Sequence, residues 1–454
     1  MKCYFLLLLF ALFSCATPLR HGNNIKTSVD VDELPEIGLG ISTTTTDLRV
    51  VEFDSAKHGE RIIEDAATVY LTLHNGFSER KQLYAEKGDH IHLAFDGKNL
   101  HRTSKITGDR PPITEYLSRW KAVFPSRSIY TLPLPEFEMK LKETIQTNSS
   151  LLDSCESALN KASKKFVKLE RARMKYLLGS VLVNYPYAHG WKNRKDIDAD
   201  YYTMLENWIE EDNNYLDLPE YRTFVTHACS FLGSRNEENA ATPYENVLKQ
   251  IQYAARNFKQ DEVIQRFIAT WASEYVQRNG ITQIEELDKI TRERLTNPDL
   301  LSRYTSVYDS WKCLEPGNEA IDFIARDSTG KEYSLKNFRN GYVCLYIWQN
   351  VSPCLVEFAH LQELAPLFKE KNVHLVNLSI EPKNETWREV IRNKNLQTGT
   401  HLYLEGTREF LSKYHYSSWN VFQFILITPD GKIAGSHLPK ASSGELEKYL
   451  KEQL

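Results

Sequence analysis

Among the seven cysteines of this chain, Cys354 has the surroundings that could do chemistry. It closes the stretch Val351-Ser352-Pro353-Cys354, which lies between an apolar run and an amphipathic one. A thiol at a helix N-terminus ionises readily, because unpaired backbone N–H groups and the helix dipole favour the thiolate. Thiol–disulfide exchange needs a partner sulfur as well: one thiolate attacks, and a second thiol about three residues away releases the mixed disulfide. Val351 and Ser352 supply no sulfur, and Cys344 sits further back inside the apolar run. Cys354 therefore has two readings, a buried packing thiol or an activated monothiol, and packing is expected because free cysteine is among the most buried residue types. His90 and His92 alternate onto one face of a strand, but no third ligand stands near them in the sequence. They are read as surface or packing residues, and neither a metal nor a cofactor is assigned.

The elements that must position Cys354 follow from hydropathy. Tyr342 to Trp348 is a short, nearly continuous apolar run, as expected of a strand buried on both faces. From Cys354 onward Leu355, Phe358, Leu361, Leu364, Leu367 and Phe368 recur at helical spacing, with Glu357, Glu363 and Lys369 between them and Pro366 as a kink. A second strand starts at Val373, and a second helix starts near Asn384. Phe422 to Ile427, the turn Pro429-Asp430-Gly431-Lys432 and Ile433 read as a hairpin. Ser442 and Glu445 are spaced as a capping box for a closing helix.

Pro316-Gly317, Ile321 to Asp327, Gly330 to Leu335 and Phe338, followed by the strand at 342–348, form a pattern that resembles the leading hairpin of TlpA/ResA-like thioredoxin-fold proteins. The resemblance covers about residues 314–454 and implies an α/β thioredoxin-like domain of a thiol-disulfide oxidoreductase family. It places the family's nucleophilic cysteine at Val351 and its resolving cysteine at Cys354, with Ser352 and Pro353 between. The family's cis-proline falls at Phe422, where a cis bond would cost about 3 kcal/mol, so a trans bond and an altered docking backbone are expected. The acid that thioredoxin buries in the preceding strand falls at Leu345. The degenerate site is thus Val351, Ser352, Pro353 and Phe422, with Cys354 as the one catalytic candidate. A peroxidatic reading of Cys354 would need the Thr-x-x-Cys of peroxiredoxins, and position 351 is valine.

At the N-terminus, Met1-Lys2 and the apolar run to Phe13 have the shape of a signal peptide, too short for a spanning helix. Leu12-Phe13-Ser14-Cys15 resembles a bacterial lipobox, which would make Cys15 the lipidated first residue of the mature protein. The rival reading is cleavage after Ala16 and simple secretion to the periplasm. The absence of an acidic run after Cys15 favours an anchor facing the periplasm, at the outer membrane. A net charge of −4 with interspersed signs carries no nucleic-acid footprint. At 454 residues the length prior is about three domains.

The fold class expected is multi-domain. Residues 1–15 are the signal peptide and 16–46 a Ser/Thr-rich tether. Short alternating segments divided by Asn75-Gly76, Gly88-Asp89 and Asp96-Gly97 make 47–112 a small all-β domain resembling a sandwich. Amphipathic stretches make 113–313 an all-α helical domain, with aromatics such as Trp120, Tyr176, Trp208 and Trp311 between helices. Residues 314–454 are the thioredoxin-like domain. The function expected is a non-catalytic envelope module that binds a peptide or an envelope protein and is held to the membrane by its lipid. The alternative is a thiol-disulfide oxidoreductase acting through Cys354.

Overall fold

The computed structural model describes residues 24–454 except 37, 44–48, 65–67, 77–78, 192–195, 236–241, 395 and 417–421. The signal peptide and Cys15 lie outside the described residues. The chain divides into two compact units, 1–239 and 240–454.

Unit 1 begins with eight strands: β1 (Ile25–Val31), β2 (Leu39–Ser42), β3 (Arg49–Val50), β4 (His58–Ile63), β5 (Thr68–Asn75), β6 (Glu79–Glu86), β7 (His90–Phe95) and β8 (Lys105–Gly108). They form two four-stranded sheets, ordered β4-β1-β7-β8 and β3-β2-β5-β6. Their inner faces share one apolar core that includes Ile25, Val29, Leu71, Leu83 and Leu93. This corrects the expected tether. Residues 25–31 and 39–42 are core strands, because Ile25, Val29 and Val31 alternate inward while β1 pairs with β4 on one side and, in parallel, with β7 on the other. The short α1 (Leu100–Thr103) lies between β7 and β8, and after the strands come α2 (Pro111–Arg119), α3 (Leu134–Ala162), α4 (Lys164–Tyr176), α5 (Gly179–His189), α6 (Ala199–Trp208) and α7 (Pro219–Gly233).

Unit 2 opens with α8 (Pro243–Asn257), α9 (Asp261–Asn279), α10 (Glu285–Arg294) and α11 (Pro298–Ser310). The helices expected over 113–313 are present, but the division between units falls inside that region, so these four group with the C-terminal sheet. The anchor is Trp311, 1% exposed, which stacks on His415 at 4.5 Å and meets the His437 ring edge-on at 4.8 Å. Next come β9 (Ala325–Arg326), β10 (Glu332–Tyr333), β11 (Tyr342–Trp348), α12 (Ser352–Glu363), α13 (Ala365–Glu370), β12 (Val373–Ser379) and α14 (Asn384–Asn393). The chain ends with β13 (Thr400–Leu404), α15 (Thr407–Lys413), β14 (Gln423–Ile427), β15 (Ile433–Gly435) and α16 (Glu445–Gln453).

The sheet of unit 2 is ordered β10-β9-β13-β12-β11-β14-β15, with β11, β12 and β13 parallel and β14 antiparallel to β11. β11 is central, which is why its residues from Val343 to Trp348 are all buried and almost all apolar. The expected kink is a break at Leu364, after which Pro366 sits in the first turn of α13, where its missing N–H costs nothing. No described helix is long and apolar enough to cross a membrane.

Candidate functional site

The strand β11 delivers the chain to Gln349 and Asn350, and α12 begins immediately after Val351. Val351 is the N-cap, extended at φ −127° and ψ 150°, a conformation that suits a β-branched residue. It caps through its backbone alone: its carbonyl accepts from Cys354 N–H at 3.0 Å and from Leu355 N–H at 3.1 Å, and no side chain closes the helix end. Ser352 and Pro353 are exposed, Val351 is half-buried against the core, and Cys354 is fully buried.

Burial decides the state of that thiol. It pushes the Cys354 pKa up, and the carboxylates of Glu381 and Glu357 push the same way. A hydrogen bond from the Gln349 backbone opposes the shift without reversing it. The Tyr346 hydroxyl donates to the Cys354 carbonyl at 2.8 Å, while its ring stacks on Phe424 at 4.5 Å and meets Phe358 edge-on at 5.3 Å. Glu381 accepts from the Asn350 N–H, which places a carboxylate against the turn itself. A helix N-terminus stabilises a thiolate; at this one, burial and two acids outweigh that help.

Two residues of this site escaped the sequence reading. Glu357 stands in the sequence only as a polar residue between the apolar ones of α12, yet it is 2% exposed and accepts from the Ser442 N–H at 3.0 Å and the Ser442 hydroxyl at 2.6 Å. The signal was there: with Cys354, Phe358 and Leu361 it falls on one helical face. The capping box expected of Ser442 does not form for the same reason. Both donors of Ser442 go to Glu357, and α16 starts from Gly444 in the left-handed conformation, with φ 76° and no side-chain cap. Tyr346 is the second, visible in sequence only as a member of an apolar strand.

Phe422, where the resemblance puts the family's proline, is half-buried, with Lys440 Nζ 5.5 Å from its ring centroid and Phe424 at 5.9 Å. Its preceding neighbour, Val421, lies outside the described residues, and with it the expected trans bond. Leu345, at the acid position of thioredoxin, is fully buried. Cys155, Cys229, Cys313, Cys344 and Cys354 are all free of disulfides, and burial raises the Cys344 thiol to about 12.

The histidine pair on β7 has more company than its sequence neighbours suggested. Ser28 Oγ lies 2.8 Å from His90 Nε2 and 3.0 Å from His92 Nδ1, and Asp30 contacts His58 Nδ1 at 2.6 Å and His92 Nε2 at 3.4 Å. The imidazoles are thus held by hydrogen bonds across three strands. Among the described residues no three His, Cys, Asp or Glu groups are arranged to hold a metal.

Residues 316–436 match the model of the AhpC/TSA family. The thiol-disulfide oxidoreductase ResA of Bacillus cereus is 27% identical over 150 residues, 33% of this chain and 84% of that protein. Among solved structures, the thioredoxin domain of a thiol-disulfide oxidoreductase from Bacteroides vulgatus is 23% identical, covers 31% of this chain and 97% of its own, and has a TM-score of 0.28. A thioredoxin-like protein from Bacteroides caccae is 15% identical and covers 63% of this chain and 94% of its own, with a TM-score of 0.34. Residues 316–436 thus form a C-terminal thioredoxin-fold domain that matches the AhpC/TSA family and is similar to the ResA thiol-disulfide oxidoreductases.

Proposed function

We propose that this protein is a lipid-anchored, periplasm-facing envelope protein whose thioredoxin-fold domain binds a peptide or partner protein and does not perform dithiol exchange. The observation that carries the reading is the pairing of Val351 with a buried Cys354 whose pKa is raised. Exchange needs an accessible thiolate and a second sulfur within reach, and the turn offers neither. What it offers instead is exposed Ser352 and Pro353, half-buried Val351 and Phe422, and the ammonium of Lys440, a surface suited to an extended apolar segment with an acidic group. The anchor rests on Cys15 in its lipobox-like setting.

One observation favours a second reading, in which Cys354 alone, or with a distant thiol, forms mixed disulfides: the similar curated proteins are thiol-disulfide oxidoreductases. A single experiment separates the two. The mature protein is assayed for insulin reduction by dithiothreitol and used to capture partners from envelope extract with and without reductant. Binding predicts no rate above the uncatalysed one and capture unaffected by reductant. Turnover that Cys354→Ala abolishes, or a trapped mixed disulfide, establishes the oxidoreductase instead.

A further inference from the structure

Unit 1 holds a cavity of about 480 Å³ that the thioredoxin fold does not use. It follows the free edges of the two sheets, since β6 is the outermost strand of one and β8 the outermost strand of the other, and α2 packs against both. Its size is that of a pocket for a small molecule, typically about 300–1,000 Å³.

The lining is divided. Leu83, Ile91, Ile106, Leu117 and Trp120 supply an apolar wall, while Arg80, Lys81, Lys121 and Arg173 supply cations, and no Asp or Glu lines it. The cations are not equivalent. Arg173, 3% exposed, is neutralised by Glu170, which accepts from Nε at 2.7 Å and Nη2 at 2.6 Å, and the Trp120 ring covers its guanidinium at 4.1 Å. It shapes the floor of the cavity and adds little free charge. Lys81 is different: half-buried in the edge strand, it donates to the neutral hydroxyl of Ser104 at 2.6 Å and makes no ion pair among the described residues. Burial pushes its pKa down, as an uncompensated ammonium requires. An ammonium drawn out of water without a carboxylate is an incomplete electrostatic arrangement, and an anion beside it would form a charge-assisted hydrogen bond.

We infer that this cavity binds a small amphipathic anion, with a carboxylate- or sulfonate-type head against Lys81 and an aromatic or aliphatic body along Leu83, Leu117 and Trp120. The apolar wall excludes a simple inorganic ion as the best fit, and the absence of lining acids excludes a cationic amphiphile. Arg80 and Lys121, at the exposed rim, add attraction for the head that salt weakens.

The test is a fluorescence titration of the mature protein with anilinonaphthalene sulfonate, followed by displacement. The expected result is saturable binding to a protein whose thermal transition is unchanged, weakened about tenfold by Lys81→Gln and lost in Ser118→Trp, which fills the cavity from α2. Dodecanoate should displace the dye and dodecyltrimethylammonium should not. Displacement by dodecanoate alone identifies a free fatty-acid-type ligand; displacement by dihexanoyl phosphatidylglycerol as well identifies a lipid headgroup. Dye binding that is not saturable, that survives both substitutions in folded protein, or that the cationic amphiphile displaces equally well overturns the assignment.

Discussion

Val351→Cys is the substitution that separates a missing sulfur from a dismantled site. The 3.0 Å bond from Cys354 N–H to the Val351 carbonyl closes a four-residue turn, in which the two Cα atoms lie within about 7 Å, inside or near the range a disulfide spans. Closing so small a loop removes little unfolded-chain entropy, so the oxidised variant should gain only about 2 kcal/mol over the reduced one. Against this stands the loss of part of a half-buried valine from the core, about 1 kcal/mol. The new thiol at the N-cap gains at most about 1 kcal/mol of thiolate stabilisation from the helix dipole, leaving its pKa at about 8. Glu381, hydrogen-bonded to the Asn350 N–H beside it, works against even that. The expected outcome is a disulfide, seen as the loss of two hydrogens by intact-mass spectrometry and of two titratable thiols, with insulin reduction still close to background. Val351→Cys with Phe422→Pro should exceed either single change, with Phe422→Ala as the control for loss of the ring. Full reductase activity from Val351→Cys alone would refute the reasoning, since it would show that neither Glu381 nor Phe422 limits the site.

Glu357→Ala should destabilise the protein by about 2 kcal/mol, because it orphans the N–H and hydroxyl of Ser442; Glu357→Gln, which keeps an acceptor, should cost less than half of that in urea unfolding. Arg173→Met should cost about 3–5 kcal/mol by leaving buried Glu170 with only the Tyr70 and Tyr116 hydroxyls as donors, and Arg173→Met with Glu170→Leu should recover part of it. Burial holds the pKa of both His401 and His437 at about 4, below the ordinary 6.5. Both stay neutral when folded and take up protons on unfolding, so their contribution is present above pH 6.5 and is lost as pH falls toward 4. Replacing either with Gln should flatten the pH dependence of the urea midpoint in that window, and an unchanged profile would contradict the assignment. Cys15→Ala should move the protein from the membrane to the soluble fraction, whereas a wild type already soluble would favour cleavage after Ala16.

The elements of the C-terminal domain were legible because each carried a strong local signal. β11 is apolar nearly throughout since it is buried on both faces, and α12 shows helical spacing directly after it. What escaped depended on distant partners. β1 lies in a segment dominated by polar residues, and its three inward aliphatic side chains make a strand only because β4 and β7, far along the chain, pair with it. Residues 243–310 show the same helical periodicity as the helices before them; only contacts such as Trp311 with His415 and His437 assign them to the other unit. Ser442 reads in sequence as a helix cap and Glu357 as one more polar residue between apolar ones, whereas a buried carboxylate finds its donors wherever the fold brings them.

The thioredoxin turn combines parts that carry chemistry with parts that carry the fold, and under the proposed binding function the two have separated here. The positions where the resemblance puts the nucleophilic sulfur and the proline of an exchange enzyme hold Val351 and Phe422, and both are apolar. The positions that tie the turn to the domain are fully engaged: Tyr346 on the Cys354 carbonyl, Glu357 on Ser442, and Cys354 in the core. Valine at the N-cap satisfies the backbone there as well as cysteine would, because the cap is made by its carbonyl and its extended φ and ψ. The fold therefore needs no sulfur at position 351. It follows that the stability of this domain carries no information about its redox activity, and that only the chemistry at positions 351 and 354 can decide between a binding module and an exchange enzyme.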